Sequence, residues 1–418
     1  MLKLFRSFII VVFLFFILTG IAAAAEYEHF TGVMAYGDKI YALVNRETNT
    51  GFYDFVYYPC RVIEYDSALR ELRRIELSSG TDAAKNANSF VLHNGKLYVG
   101  CTGSATPNTE WGSIWEVDIA NWNTRKILDA KDTGTVQYSG VMGVETAADG
   151  TAFLLFGSYN ASFDFSPALF VTTVDKMIAG DAGTPVTIAP SEGYSWSIDW
   201  SEASQTLWMA AGKSVQARSK NGTVLSTFTQ SDLGNNVGSI RALSDGRAFY
   251  TAVPDNYSST SAGLIRKNAS TYTPQKDVLT NLAGDTAGFA FNDNNGKPFV
   301  LMREYNYGPN DNIFIYDPDD FSSPVMNVSN WGSNISTIAT LNNYMYYGTY
   351  ERYEAGNSNQ LSGEIKRVNL QNLIPIVPPI QQPSSGGGGG GCDAGFGALA
   401  LVILFQTALI RYLNKTKK

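Results

Sequence analysis

His29 and His93 are the two histidines of the 418-residue chain, and Cys60, Cys101 and Cys392 its three cysteines. Neither histidine has a serine or cysteine beside it in a nucleophile motif, and the sequence has no GxSxG, HExxH or phosphate-binding loop. His93 falls in the turn Leu92-His-Asn-Gly95, and His29 just ahead of the first apolar segment. A zinc-cluster protein needs four Cys or His per structural site, so five scattered ligands exclude one. No metal or cofactor motif is present, and no catalytic residue stands out. Acid–base chemistry is open only to a pair of carboxylates brought within about 5–10 Å, as in glycoside cleavage. Asp54, Glu110, Asp164 and Glu351 are the candidates, because each lies in a long segment rich in aromatic residues. Asn292-Asp-Asn-Asn-Gly296 and Asp317-Pro-Asp-Asp320 have a calcium-like composition. They lack the spaced ligands and closing glutamate of a calcium loop and are expected as turns.

Recognition chemistry has more material. Aromatic rings offer flat apolar faces for sugars or peptides, and arginine adds a rigid fork of donors. Arg46, Tyr53, Tyr57, Trp111, Tyr159, Tyr257, Arg303, Tyr305, Tyr350 and Arg352 are the candidate ligand-binding residues. Tyrosines that alternate inside apolar runs, such as Tyr41 and Tyr346, read instead as strand packing. Trp196, Ile198 and Trp200 share one face of a strand around Asp199 and read as core, with Trp208 packing nearby.

These residues must be positioned by elements that repeat. Short turns recur at Gly37-Asp38-Lys39, Asn94-Gly95-Lys96, Ala148-Asp149-Gly150, Ala203-Ser204-Gln205, Ser244-Asp245-Gly246, Asn295-Gly296-Lys297 and Asn342-Asn343-Tyr344. Each is followed by an apolar strand, from Ile40-Tyr-Ala-Leu-Val44 to Met345-Tyr-Tyr-Gly348. Measured from Asp38, Gly95, Gly150, Ser204, Gly246, Gly296 and Asn343, the spacings are 57, 55, 54, 42, 50 and 47. Seven units near 50 residues, each of three or four strands, predict an all-β fold, a β-propeller of seven blades, with six or eight as alternatives. The seventh unit shows no evident fourth strand, so either residues 373–377 or the segment from Glu26 to Phe30 must close the ring. In a propeller the loops joining second to third strands share one end with those joining successive blades. The candidate aromatics cluster in those loops. The WD and kelch signatures are absent.

Composition agrees. The chain is 44% hydrophobic, 13% aromatic and only 17% charged, which excludes disorder. Its net charge of −7 argues against nucleic acid as a partner.

Both ends are predicted to be something other than propeller. Residues 1–25 combine Lys3 and Arg6, an apolar run from Phe8 to Leu18 and the small residues Ala22-Ala-Ala-Ala25. That is a secretory signal with cleavage by signal peptidase after Ala25; the alternative is an uncleaved anchor. The propeller domain is then residues 26–373. Residues 374–391 form a stalk, proline-rich and then glycine-rich through Gly391. Residues 392–418 begin with Cys392, continue as an apolar run over 394–410 and end in Arg411, Lys415, Lys417 and Lys418. At 1.5 Å per residue that run makes a helix of roughly 25 Å, just enough to cross a bilayer. The terminal cations hold its end in the cytoplasm, so the chain before Cys392 lies outside. The exported part carries 25 basic and 37 acidic residues, a net charge of −12, and is repelled by anionic lipid.

The tail, Ser384 to Gly391 with Cys392-Asp-Ala-Gly395, the apolar run and the basic end, resembles the bacterial sorting signals of the GlyGly-CTERM and Synergist-CTERM kind. The resemblance covers about 35 residues. It implies a rhomboid-type intramembrane protease as a partner, cutting near Gly391 and Cys392, and delivery to the bacterial cell surface. The alternative is a plain membrane anchor on a flexible stalk.

Cys60 opens a third strand and Cys101 ends a second strand one blade later, at the same end of the ring. Either they form a disulfide, which an oxidising compartment permits, or they are two buried thiols. A bond across 41 residues would remove about 4 kcal/mol of unfolded-chain entropy. The reading of the whole is an exported, surface-anchored propeller that recognises an extracellular glycan or peptide through its aromatic loop face. The alternatives are a polysaccharide-active hydrolase or lyase using loop carboxylates, and a structural envelope protein.

Overall fold

The computed structural model describes residues 26–51, 54–103, 112–133, 140–159, 165–186, 188, 196–254, 260–282, 285–293, 295–305, 312–328, 333–353 and 360–370. Within these, the chain folds into seven antiparallel blades in chain order, with a small two-stranded sheet of Ser78–Ser79 and Asp82–Ala83 between the first two. Blade 1 runs Glu26–Tyr36, Lys39–Gly51, Asp54–Asp66 and Glu71–Glu76; blade 2 runs Ala87–His93, Lys96–Cys101, Ser113–Asp118 and Asn123–Asp129. Blade 3 comprises Gly140–Thr146, Thr151–Tyr159, Phe165–Thr173 and Pro185–Val186, and blade 4 Trp196–Ser201, Thr206–Ala211, Ser214–Arg218 and Val224–Phe228. Blade 5 comprises Asn236–Ala242, Ala248–Val253, Thr260–Asn268 and Thr271–Leu282, and blade 6 Asp285–Asn292, Pro298–Tyr305, Asn312–Tyr316 and Met326–Val328. Blade 7 has Ser333–Leu341, Tyr344–Tyr353 and a third strand broken into Gln360–Ser362 and Ile365–Asn369. Each first strand contacts the first strand of the next blade, and that of blade 7 contacts that of blade 1. The ring is closed, and the expected seven-bladed propeller is the observed fold.

The reason lies in local sequence. Asn94-Gly95 and Asn342-Asn343 both have positive φ at their two central positions, the geometry whose twist matches a two-residue hairpin. Beyond each turn the second strand is buried on both faces, hence its continuous apolar run. One aromatic recurs in every second strand: Tyr41, Tyr98, Phe153, Trp208, Phe249, Phe299 and Tyr346. Each belongs to a different core cluster, so every seam between blades is built around one large ring. Truncating one to alanine would cost about 3–5 kcal/mol.

The segment from Glu26 to Phe30 starts blade 1's own first strand, and that strand packs on blade 7. Gly363 N–H donates to Glu28 O at 2.6 Å and Val33 N–H to Thr337 Oγ1 at 2.9 Å. Ser336 Oγ donates to Phe30 O, and Tyr346 OH to Ser67 O at 2.7 Å. Residues 373–377, the other expected closure, lie outside the described residues, as do the signal segment with Ala25, the stalk with Gly391, and Cys392 with the 394–410 run.

Two expectations are corrected. His29 is not ahead of the first strand but inside it, because blade 1's second strand is 13 residues long and keeps pairing as far as Glu26 with Thr48. Trp208 does not pack with Trp196 and Trp200. Those two face blade 3, while Trp208, on the opposite face, packs toward blade 5 against Tyr272.

Candidate functional site

The two ends of the ring are built differently. At one end first strands turn directly into second strands. The other end carries the connections between blades and most of the long second-to-third loops. Blades 1 and 4 are the exceptions at that end: two residues join Gly51 to Asp54 and Ala211 to Ser214, and in blade 4 the short helix Gln230–Leu233 leads on to blade 5.

Tyr53, Trp111 and Tyr257 lie outside the described residues, as do Glu110 and Asp164. Tyr159, Tyr305, Tyr350 and Arg352 lie on loop-end strand termini of blades 3, 6 and 7, where the backbone is described, and so do Asp54 and Glu351 in blades 1 and 7.

Three candidates have described side chains, and each is engaged by the protein itself. Arg46 Nε donates to Glu26 Oε1 at 2.5 Å and Nη1 to Glu76 Oε1 at 2.7 Å, with the guanidinium 5.5 Å from the Tyr58 ring centre. It braces blade 1 rather than reaching outward. Tyr57 is half-buried, and its hydroxyl is pushed upward first by burial and then by the charge of Glu47. Glu47 Oε1 in turn lies 3.0 Å from Nε2 of the fully buried His29. Arg303 corrects the expectation most clearly. It has no exposed surface, and its Nη1 donates to Ile335 O at 2.6 Å, tying blade 6 to blade 7.

A second group of chemically loaded residues escaped the sequence reading. Glu145, Asp199 and Arg241 each pair, on the first strands of blades 3, 4 and 5, with the recurrent aromatic of the second strand: Phe153, Trp208 and Phe249. The same position holds Met34, Val91, Phe291 and Ala339 in the other blades. All sit near the turn end of the innermost strands. Asp199 lies three residues, about 10 Å, from the loop end of its strand.

Asp199 Oδ2 accepts the Ala242 N–H at 2.9 Å, which aims it at blade 5. Arg241 Nη1 donates to Ile240 O at 2.8 Å, and its guanidinium stands 5.9 Å from the Phe289 ring centre in blade 6. Desolvation pushes the Asp199 carboxyl up to about 6, opposed by the charge of Arg241 and by hydrogen bonds from the Ala242 and Trp200 backbone. Glu145 is pushed well above the ordinary carboxylate range, by burial first and the Asp199 charge second, again against Arg241. Two carboxyls raised by burial beside a guanidinium can give or take a proton and hold an anion. The signal in the sequence was a charged residue where the other repeats carry an apolar one, readable only once strand register is known.

His93 lies at the turn end, its Nε2 3.0 Å from Asn94 Nδ2. The two acidic segments are turns, with Asp293 and Asp317 carboxylates accepting N–H groups two residues on. Among the described residues no three His, Cys, Asp or Glu are grouped to hold a metal ion, and no helix is long and apolar enough to cross a membrane.

Blade count, strand order and ring closure define the protein as a seven-bladed β-propeller. Among solved structures it is similar to a polysaccharide lyase, a PL25 ulvan lyase bound to a glucuronate–sulfated rhamnose chain. The TM-score is 0.51 at 10% identity, covering 84% of this chain and 99% of that one. It also matches the WD40 propeller of Doa1, with TM-score 0.46, 14% identity and coverage of 78% and 93%. A Pseudomonas aeruginosa periplasmic gluconolactonase follows with TM-score 0.48, 15% identity and coverage of 71% and 84%. At these identities the likeness is one of fold. No protein-family model matches the sequence, and no curated protein is similar to it.

Proposed function

We propose that this chain is an exported propeller, held at a bacterial cell envelope, that binds an extended glycan or peptide on the loop end of its ring. The observation that supports it is the asymmetry of the two ends. First strands turn tightly into second strands at one, while the other carries the connections between blades and, in blades 2, 3, 5, 6 and 7, second-to-third connections of five or more residues. Trp111 and Tyr257 fall in these connections, Tyr159 and Tyr305 end their strands beside them, and Tyr350 lies near the end of its own. Ring faces of that kind stack on sugars and grip peptide side chains at little entropic cost. The secretory signal, the stalk and the tail that resembles a sorting signal give the export route. Signal peptidase and a rhomboid-type protease are its processing partners. A glycan and peptide array probed with the protein tests this. Combined Tyr53→Ala, Trp111→Ala and Tyr257→Ala substitution weakens a hit at least tenfold under this reading, and unchanged binding overturns the choice of face.

The second reading is a polysaccharide hydrolase or lyase, favoured by the raised carboxyls of Glu145 and Asp199 rather than by the loop acids. Product analysis of each array hit separates it from the first. Under it, Asp199→Asn abolishes product while leaving ligand retained. Intact ligand recovered from the unsubstituted protein removes it.

A further inference from the structure

Cys60 and Cys101 are both fully buried and share one core cluster at the seam of blades 1 and 2. Both are free thiols. Cys101 closes the second strand of blade 2 opposite Ala87. Asn45 of blade 1 fastens that point: Nδ2 donates to Ala87 O at 2.9 Å, and Oδ1 accepts Ala87 N–H at 2.8 Å. The same Oδ1 accepts the Cys60 thiol at 3.0 Å, and Cys60 N–H donates to Ala84 O at 2.8 Å. The two thiols, from different blades and 41 residues apart, thus share one core cluster around the Asn45–Ala87 clasp, Cys60 bonded to Asn45 and Cys101 paired with Ala87.

We propose that Cys60 and Cys101 are joined as a disulfide while the exported chain folds, and that burial then locks their redox state. The oxidant is a small disulfide of the glutathione class or a disulfide-donor protein. One cysteine attacks it and releases a first thiol; the second cysteine attacks the mixed disulfide and releases another. The oxidant's S–S bond is replaced by the Cys60–Cys101 bond, two electrons pass to the oxidant, and both cysteine protons end on the released thiols.

Timing follows from access. Exchange requires a thiolate that a partner can reach, and burial pushes the Cys101 thiol well above its ordinary range. The bond therefore forms before blade 2 docks on blade 1, and afterwards neither oxidant nor reductant reaches it. Losing the Cys60 S–H orphans no acceptor, because Asn45 Oδ1 keeps the Ala87 N–H.

The test uses the full chain, folded once with and once without glutathione disulfide, then denatured and digested with trypsin without reductant. The expected product of oxidative folding is one linked pair of peptides, residues 47–61 with residues 97–125, 2 Da lighter than their sum. Protein folded reduced, then given glutathione disulfide while native, is expected to show no linked pair over hours and to take up maleimide at Cys60 and Cys101 only on denaturation. Free Cys60 and Cys101 after oxidative folding would overturn the bond, and rapid linking in the native reduced protein would overturn the lock. Neither outcome depends on a variant folding.

Discussion

One position of the propeller, the inner-strand residue facing the next blade beside the recurrent aromatic, divides the ring into two arcs. From blade 6 through blade 2 it is Phe291, Ala339, Met34 and Val91. In blades 3 to 5 it is Glu145, Asp199 and Arg241. The backbone pairing is the same in both arcs, so the fold does not require the charges. An apolar side chain there adds to the seam by burial. A carboxyl there loses hydration and regains only part of it, from backbone N–H groups and a nearby guanidinium. The charged arc is therefore a place where stability has been given up, and such places concentrate function.

The sharpest way to break the contrast is to move a charge across it. Val91→Asp places an uncompensated carboxylate in the apolar arc. It should lower the unfolding free energy by about 3 kcal/mol at pH 7, read from the denaturant midpoint. A loss under about 1 kcal/mol would mean that both arcs are equally wet and the contrast is empty.

Arg241→Met comes next. Without the guanidinium the two acids face each other unopposed, so a loss of about 2 kcal/mol is expected at pH 7 and a smaller one at pH 5, where more protons are held. Equal losses at the two values would show that Arg241 acts only through its bond to Ile240 O.

Asp199→Asn sharpens the charged arc by its sign. The folded carboxyl titrates at about 6, above its ordinary 3.8, so the native state binds the extra proton between those values. That contribution to stability is fully present below about pH 4 and is lost as pH rises through 6. The variant should match the parent at pH 4 and exceed it by about 1–2 kcal/mol at pH 7, a range discounted from the full linkage value for water at the half-buried site. Thermal midpoints across that window, with a difference that stays flat, would remove Asp199 from the arc.

Arg46→Ala falls in blade 1, within the apolar arc but away from its inner-strand position. Its partners Glu26 and Glu76 are 38% and 45% exposed, so an effect under about 1 kcal/mol is expected, shrinking with added salt.

What the sequence revealed follows the range of the forces involved. Asn-Gly turns and alternating apolar residues act over a few positions, and they placed the hairpins and the shared face of Trp196, Ile198 and Trp200. Arg303 was misread because an arginine in an aromatic stretch looks solvated. Register with Ala287 and Ile313 puts it within a strand, where a blade 7 carbonyl receives it. Glu145, Asp199 and Arg241 are 54 and 42 residues apart and meet only through the stacking of three blades. No local pattern announces that meeting, although aligning the seven repeats on their aromatic exposes it.

Blades 1 to 6 each take all their strands from one stretch of chain, and among the described residues no strand is traded between the ends to close the ring. Closure rests on side-by-side packing of blade 7 against blade 1, fastened by contacts such as Thr337 to Val33 and Tyr346 to Ser67. A genetic event that duplicates or deletes one whole repeat would leave every remaining sheet with its full complement of partners. A circular permutation cut between two blades would do the same. The blade, rather than the strand, is the unit in which this gene can be lengthened, shortened or reordered without tearing a sheet.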